Sequence, residues 1–218
     1  SNPLIKFDDK LISSFNITER IDGVNGRGYF QKEGKSTFYY FNGSISGIVQ
    51  ELAGIPFNQI SIAKDASARL LSPSSTNRYC LQAIRRGEFA RDSLCKLLLP
   101  EFAAQMGLII SKEQRNVLAF VITGASEVTN TLESDRIPIS LLMDELNYYS
   151  SWEFGRPIYV CDNPEMWING SLLDRPAIRK LRSDPGKLSK ELEKMGLKVN
   201  SEKRTMRFLE ISERGASL

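Results

Sequence analysis

The chain has 218 residues, enough for one large domain or two small ones. With 41% hydrophobic and 25% charged residues it can bury a full core, yet no apolar run approaches the roughly 18 residues of a membrane span. It contains no histidine, which excludes Ser-His-Asp and Cys-His nucleophile systems, HEXXH metal sites and histidine acid–base chemistry.

Three widely spaced cysteines, Cys80, Cys95 and Cys161, form no C-x-x-C pair and suit a reducing cytoplasm rather than a zinc site. The opening "SNPLIKFDDK" lacks a charged-then-apolar signal pattern, so export is not expected. The net charge of +3 is unevenly spread: Arg175 to Arg207 holds 11 basic and four acidic residues, a local +7 that leaves −4 for the rest.

In chain order, "NGRGYFQKEGKSTFYYFN" (25–42) predicts an aromatic hairpin turning at "KEGK". A helix cluster is expected next. "SGIVQELAG" stops at Gly54, "NQISIAKDASARLL" stops before Pro73, and "TNRYCLQAIRRGEFARDSLCKLLL" runs to Pro100. Ser111 and Gln114 read as a capping box for a further helix through "NVLAFVIT", ended at Gly124. A polar linker, 124–138, divides the expected domains, 1–130 and 131–218. Beyond it, "ISLLMDELNYYSSW" predicts an amphipathic helix with Leu142, Leu146 and Tyr149 on one stripe, and "IYV" a short strand.

Three motifs carry chemistry only in part. "FVITGAS" resembles the start of short-chain dehydrogenases, but both later glycines of the phosphate cradle are missing. "TERIDGVNG" resembles the adenylation motif of ATP-dependent ligases, with Arg20 where a nucleophilic lysine is needed. Asp22 with Glu33 and Lys35 has the D…E-x-K order of magnesium nucleases, and a carboxylate–metal nuclease is the enzyme alternative.

The C-terminal stretch is better formed. Asp184 caps a helix with Pro185 at its first position. Leu188, Leu192 and Met195 share one side, Lys187, Lys190 and Lys194 the others, and Gly196 supplies the left-handed stop. "LKV", the turn "NSEKR" and "TMRFLEI" then predict a second hairpin. Helix, helix, basic helix, hairpin is the order of a winged helix, whose last helix enters the major groove while its wing contacts phosphates. The expected DNA-contacting residues are Arg179, Lys180, Arg182, Lys187, Lys190, Lys194, Lys198, Lys203, Arg204 and Arg207. A winged-helix module for protein contact is the second alternative. The aromatics of the 27–41 hairpin read first as core packed on both sides, and as the alternative, beside Arg27, Lys32 and Lys35, as a second surface for stacking bases.

"ASEVTNTLESDRIPISLLMDELNYYSSW" followed by "GKLSKELEKMGLKVNSEKRTMRFLEI" resembles the region after the helicase core in primase-helicases of phages, viruses and mobile elements. The resemblance implies a polar linker, a helix ending in aromatics and a terminal winged helix. The chain has no G-x-x-x-x-G-K-[ST], so the motor is missing. The combined expectation is a mostly helical α+β protein with an aromatic hairpin, a helix cluster and a winged-helix lobe. It would bind DNA, single- or double-stranded, without catalysis or cofactor, as a replication or transcription accessory of a phage or mobile element. Other replication or transcription proteins are expected partners; a membrane is not.

Overall fold

The computed structural model describes residues 13–63, 67, 70, 77–124, 135–147 and 156–214. They cluster into two units, one drawn from Ser1–Ile55, Ile62–Ser111 and Glu210–Leu218, the other from Pro56–Ser61 and Lys112–Leu209.

The first unit begins with β1 (Ser14–Glu19), β2 (Gly26–Lys32), β3 (Lys35–Gly43) and α1 (Ile45–Ala53). After β4 (Ile60–Ile62) come β5 (Tyr79–Arg86) and α2 (Arg91–Gln105). β2 and β3 form the expected aromatic hairpin, pairing Lys32 with Lys35 around Glu33 and Gly34, whose φ of 54° and 69° suit a tight hairpin turn. The sheet order is β1-β5-β3-β2, all antiparallel. One face, with Phe38, Leu81 and Ala83 fully buried, carries α1 and α2, whose Ile48, Leu52, Leu94, Leu98 and Phe102 complete that core. At its margins Arg27 bonds Glu51 of α1 at 2.8 Å and Arg85 pairs with Glu101 of α2.

β5 corrects one sequence expectation. "YCLQAIRR" lies at a centre of the sheet between β1 and β3, and both faces of its middle are covered. A strand buried on two sides has no polar alternation to show, so its apolar run reads equally well as helix.

β6 (Leu108–Gly124) enters the second unit at Lys112 and leads towards β7 (Arg136–Pro138), α3 (Ile139–Asn147) and β8 (Ile158–Cys161). β9 (Trp167–Asn169), α4 (Arg175–Leu181), α5 (Pro185–Glu193) and β10 (Leu197–Glu213) follow, the last belonging to the first unit from Glu210 on. β8 pairs parallel to β6, from Ala119 opposite Ile158 to Ile122 opposite Cys161, and β7 pairs antiparallel to β9. Ile122, Ile139, Leu142, Leu146, Tyr159, Ile178, Leu188, Leu192 and Leu197 make one apolar core beneath the helices.

The long sheet has the order β4-β10-β6-β8. β6 and β10 keep a single antiparallel register. Arg214 N donates to Gly107 O at 2.8 Å, Thr205 bonds Asn116, and the Cα hydrogen side of Gly124 faces Leu197.

The protein is therefore not mostly helical: strands exceed helices, in a mixed α/β arrangement. The capping box at Ser111 does not open a helix, because "NVLAFVIT" lies in β6 between β10 and β8. "NQISI" forms a 3-10 turn, Phe57–Gln59, and then β4; most of 64–76 lies outside the described residues. The winged-helix lobe is corrected too. α4 and α5 are present, but "NSEKR" is no turn: residues 197–213 form one uninterrupted strand and not the expected wing hairpin. Tyr149 and positions 125–134 of the expected linker lie outside the described residues.

Candidate nucleic-acid interface

Local signals place α4 and α5. Asp174 and Asp184 accept hydrogen bonds from Ala177 N at 3.0 Å and Lys187 N at 3.1 Å, and each helix starts with a proline in its first turn. Leu188 and Leu192 are buried, as their spacing predicts, and Gly196 ends the element at φ 73°.

Much of the basic charge of this region is used internally. Arg179 grips the buried carboxylate of Glu145 through two bonds, 2.5 and 3.0 Å, and Arg175 lies 3.6 Å from the same group. Arg182 donates to the Glu145 carbonyl at 3.2 Å, while its own carbonyl accepts from Tyr159 Oη at 2.7 Å. Together these bonds fasten α4 to α3. Lys187 pairs with Asp184 at 2.9 Å and Lys194 with Glu191 at 2.6 Å. The Asp184 carboxyl is held below its usual range by Lys187. Arg204 forks onto Asp162 at 2.5 and 2.7 Å and reaches Glu202 at 2.9 Å, which depresses the Asp162 carboxyl as well. Lys180, Lys190, Lys198, Lys203 and Arg207 are exposed.

The arrangement of β6 and β10 sorts charge by face. β8 flanks β6 only at 119–122, and β4 bonds β10 around Leu209 and Ile211. Between them, residues 114–118 and 203–207 form a two-stranded ribbon among the described residues, and Lys112 lies at its end, opposite Leu209. Successive side chains of a strand point to opposite faces. One face holds Glu113, Arg115, Val117, Arg204 and Met206, all half-buried. There Arg115 bonds Glu113, donates to Ser61 Oγ at 2.9 Å and lies over the Phe208 ring at 5.0 Å.

The opposite face holds Lys112, Gln114, Asn116, Leu118, Lys203, Thr205 and Arg207, every one exposed. It carries three cations and no carboxylate. The register places Gln114 across from Arg207, Asn116 across from Thr205, and Leu118 across from Lys203. Thr205 Oγ1 and Asn116 Oδ1 lie 2.6 Å apart, and Leu118 is 55% exposed. The structure thus brings Lys203 and Arg207 together on one surface. Lys198 lies five residues along the same strand, about 17 Å away at normal strand rise. Lys180 and Lys190 belong to α4 and α5.

Lys112, Gln114 and Asn116 escape a reading of the sequence. Their strand alternates one polar set with another rather than apolar with polar, so the period-two signal is hidden.

The other candidate sites are less well assembled. Glu33 sits at the hairpin turn and pairs with Lys32, and Asp22 pairs with Arg20. No group of three or more Cys, Asp or Glu suited to a metal occurs among the described residues. No aromatic of the 27–41 hairpin is exposed: Phe38 and Phe41 are buried, Tyr39 stacks on Phe41 at 5.0 Å and covers Gly28, and Tyr29 donates to the Phe89 carbonyl. No described helix is long and apolar enough to cross a membrane. The chain matches no family model, no curated protein and no solved structure.

Proposed function

We infer that the chain binds DNA, and that the exposed face of the β6–β10 ribbon is its contact surface. The observation that carries this reading is the sorting of charge. Glu113 lies on the covered face beside Arg115, and the open face keeps Lys112, Lys203 and Arg207 among amides and a hydroxyl, with no carboxylate between them. A cationic, acid-free surface attracts the phosphate backbone, and its amides and hydroxyl add hydrogen-bonding groups without like-charge repulsion. The helical lysines Lys187 and Lys194 are a weaker basis, because each is paired with an acid of its own helix. The role is binding without chemistry, in the replication or transcription setting that the sequence resemblance implies.

The test is a binding titration with a duplex of about 20 bp at roughly 50 and 200 mM salt. Affinity should fall steeply as salt rises, by about 0.9 in log–log slope for each phosphate contacted. Absence of binding at the lower salt concentration overturns the reading.

A further inference from the structure

We propose that the ribbon face reads base edges in the major groove of duplex DNA, with Arg207, Gln114 and Asn116 as the specificity-determining side chains. The inference rests on the DNA-binding reading above and goes beyond it, from attraction to sequence recognition.

Three observations carry it. The first is width. A two-stranded ribbon, its strands about 4.8 Å apart, fits a major groove about 12 Å wide, whereas a broad sheet face does not. Residues 114–118 and 203–207 are two-stranded among the described residues, with β8 beginning at Ala119 and β4 bonding at Leu209.

The second is chemistry. A surface that only held phosphates would need cations alone. This one sets Gln114 opposite Arg207 and Asn116 opposite Thr205, in one exposed line. Arg presents a fork to the O6 and N7 acceptors of guanine, and Asn or Gln pairs with the N6 and N7 of adenine. Leu118, 55% exposed on the same line, supplies an apolar contact suited to a thymine methyl group.

The third is preorganisation. Thr205 Oγ1 holds Asn116 Oδ1 at 2.6 Å. With the hydroxyl donating, one oxygen lone pair is occupied. The second lone pair and both N–H donors remain, which is the set that a bidentate contact to adenine uses. Fixing the amide beforehand lowers the ordering cost of that contact. Lys112 and Lys203, point charges on flexible stems, suit the bordering phosphates.

The experiment is a selection from duplexes with a random core of about 12 bp, followed by sequencing of the bound fraction, for the full chain and three variants. Arg207→Lys keeps the charge and removes the fork. Gln114→Ala and Asn116→Ala remove an amide and no charge. All three positions are exposed, and a thermal melt of each variant confirms the fold. The full chain should enrich a short motif. Each variant should lose discrimination of about five- to hundredfold at one motif position, a larger change than in its affinity for unselected duplex. Binding without enrichment, or the same enrichment in all variants, overturns base readout and leaves DNA binding standing. A single strand of equal length that outcompetes the duplex overturns the groove assignment. Absence of binding to either probe removes both readings.

Discussion

Glu145, on α3, lies buried at 7% exposure with the Arg179 guanidinium of α4 bonded to both its oxygens. Arg179 is thus a fastening between helices before it is a charge available to a ligand. Arg179→Ala leaves a buried carboxylate with only the longer Arg175 contact. A full buried pair would cost about 3–5 kcal/mol, and solvent around the half-exposed guanidinium lowers the expected loss to roughly 1–3 kcal/mol. Lys180→Ala, one residue on, should leave stability within about 0.5 kcal/mol. Denaturant melts of the two variants decide the matter, and equal stabilities would contradict the assignment.

α5 gives a second contrast within one helix. Leu192 is fully buried and Lys190 is exposed. Leu192→Ala should cost roughly 2–5 kcal/mol through the reduced burial and the cavity left behind. Lys190→Ala should change stability by no more than about 0.5 kcal/mol. Urea titrations measure both.

Gly196 sits at φ 73°, and a Cβ built there meets no atom within 4 Å. Any penalty for a side chain is therefore backbone strain alone. Gly196→Val should cost on the order of 1–2 kcal/mol, and Gly196→Asn clearly less, because Asn tolerates the left-handed region. Equal melting temperatures for the two variants would contradict the backbone account.

The C-terminal helix was legible because its signals are local. An aspartate cap, a proline in the first turn, leucines four apart and a glycine stop lie within thirteen residues, 184–196, and each is found in place. β5 and β6 were not legible, for opposite reasons. β5 is covered on both faces at its middle, so it shows no alternation. The ribbon part of β6 is polar on both faces, its inner Glu113 and Arg115 paired with each other. Ser111 with Gln114 then supplied a false helix start. Lys203 and Arg207 were identified from charge alone, but their neighbours Lys112, Gln114 and Asn116 come from a strand about ninety residues distant in sequence, which only the register brings alongside.

Cys95 is buried on α2, and that burial pushes its thiol up to about 11. Its unfolded value is about 8.5. The folded state therefore favours the protonated thiol. This contribution to stability is complete below about pH 8 and fades as pH rises towards 11. Cys161, half-buried, should react first with a thiol reagent at pH 8, and Cys95 should react only on unfolding. Mass spectrometry of the labelled chain checks the order, and prompt labelling of Cys95 would contradict its burial.

The central claim is that the ribbon, rather than α5, meets DNA. The most direct measurement compares two triple variants by their salt-dependent affinity for one duplex. Lys112, Lys203 and Arg207 become alanine in the first, and Lys187, Lys190 and Lys194 in the second. The ribbon variant should bind more weakly and flatten the log–log salt slope by about 1.8, at about 0.9 for each phosphate that Lys112 and Lys203 no longer neutralise, while the loss of Arg207 adds to the fall in affinity. The helix variant should keep the parent's slope. A flattened slope in the helix variant, with the ribbon variant unchanged, would contradict the account.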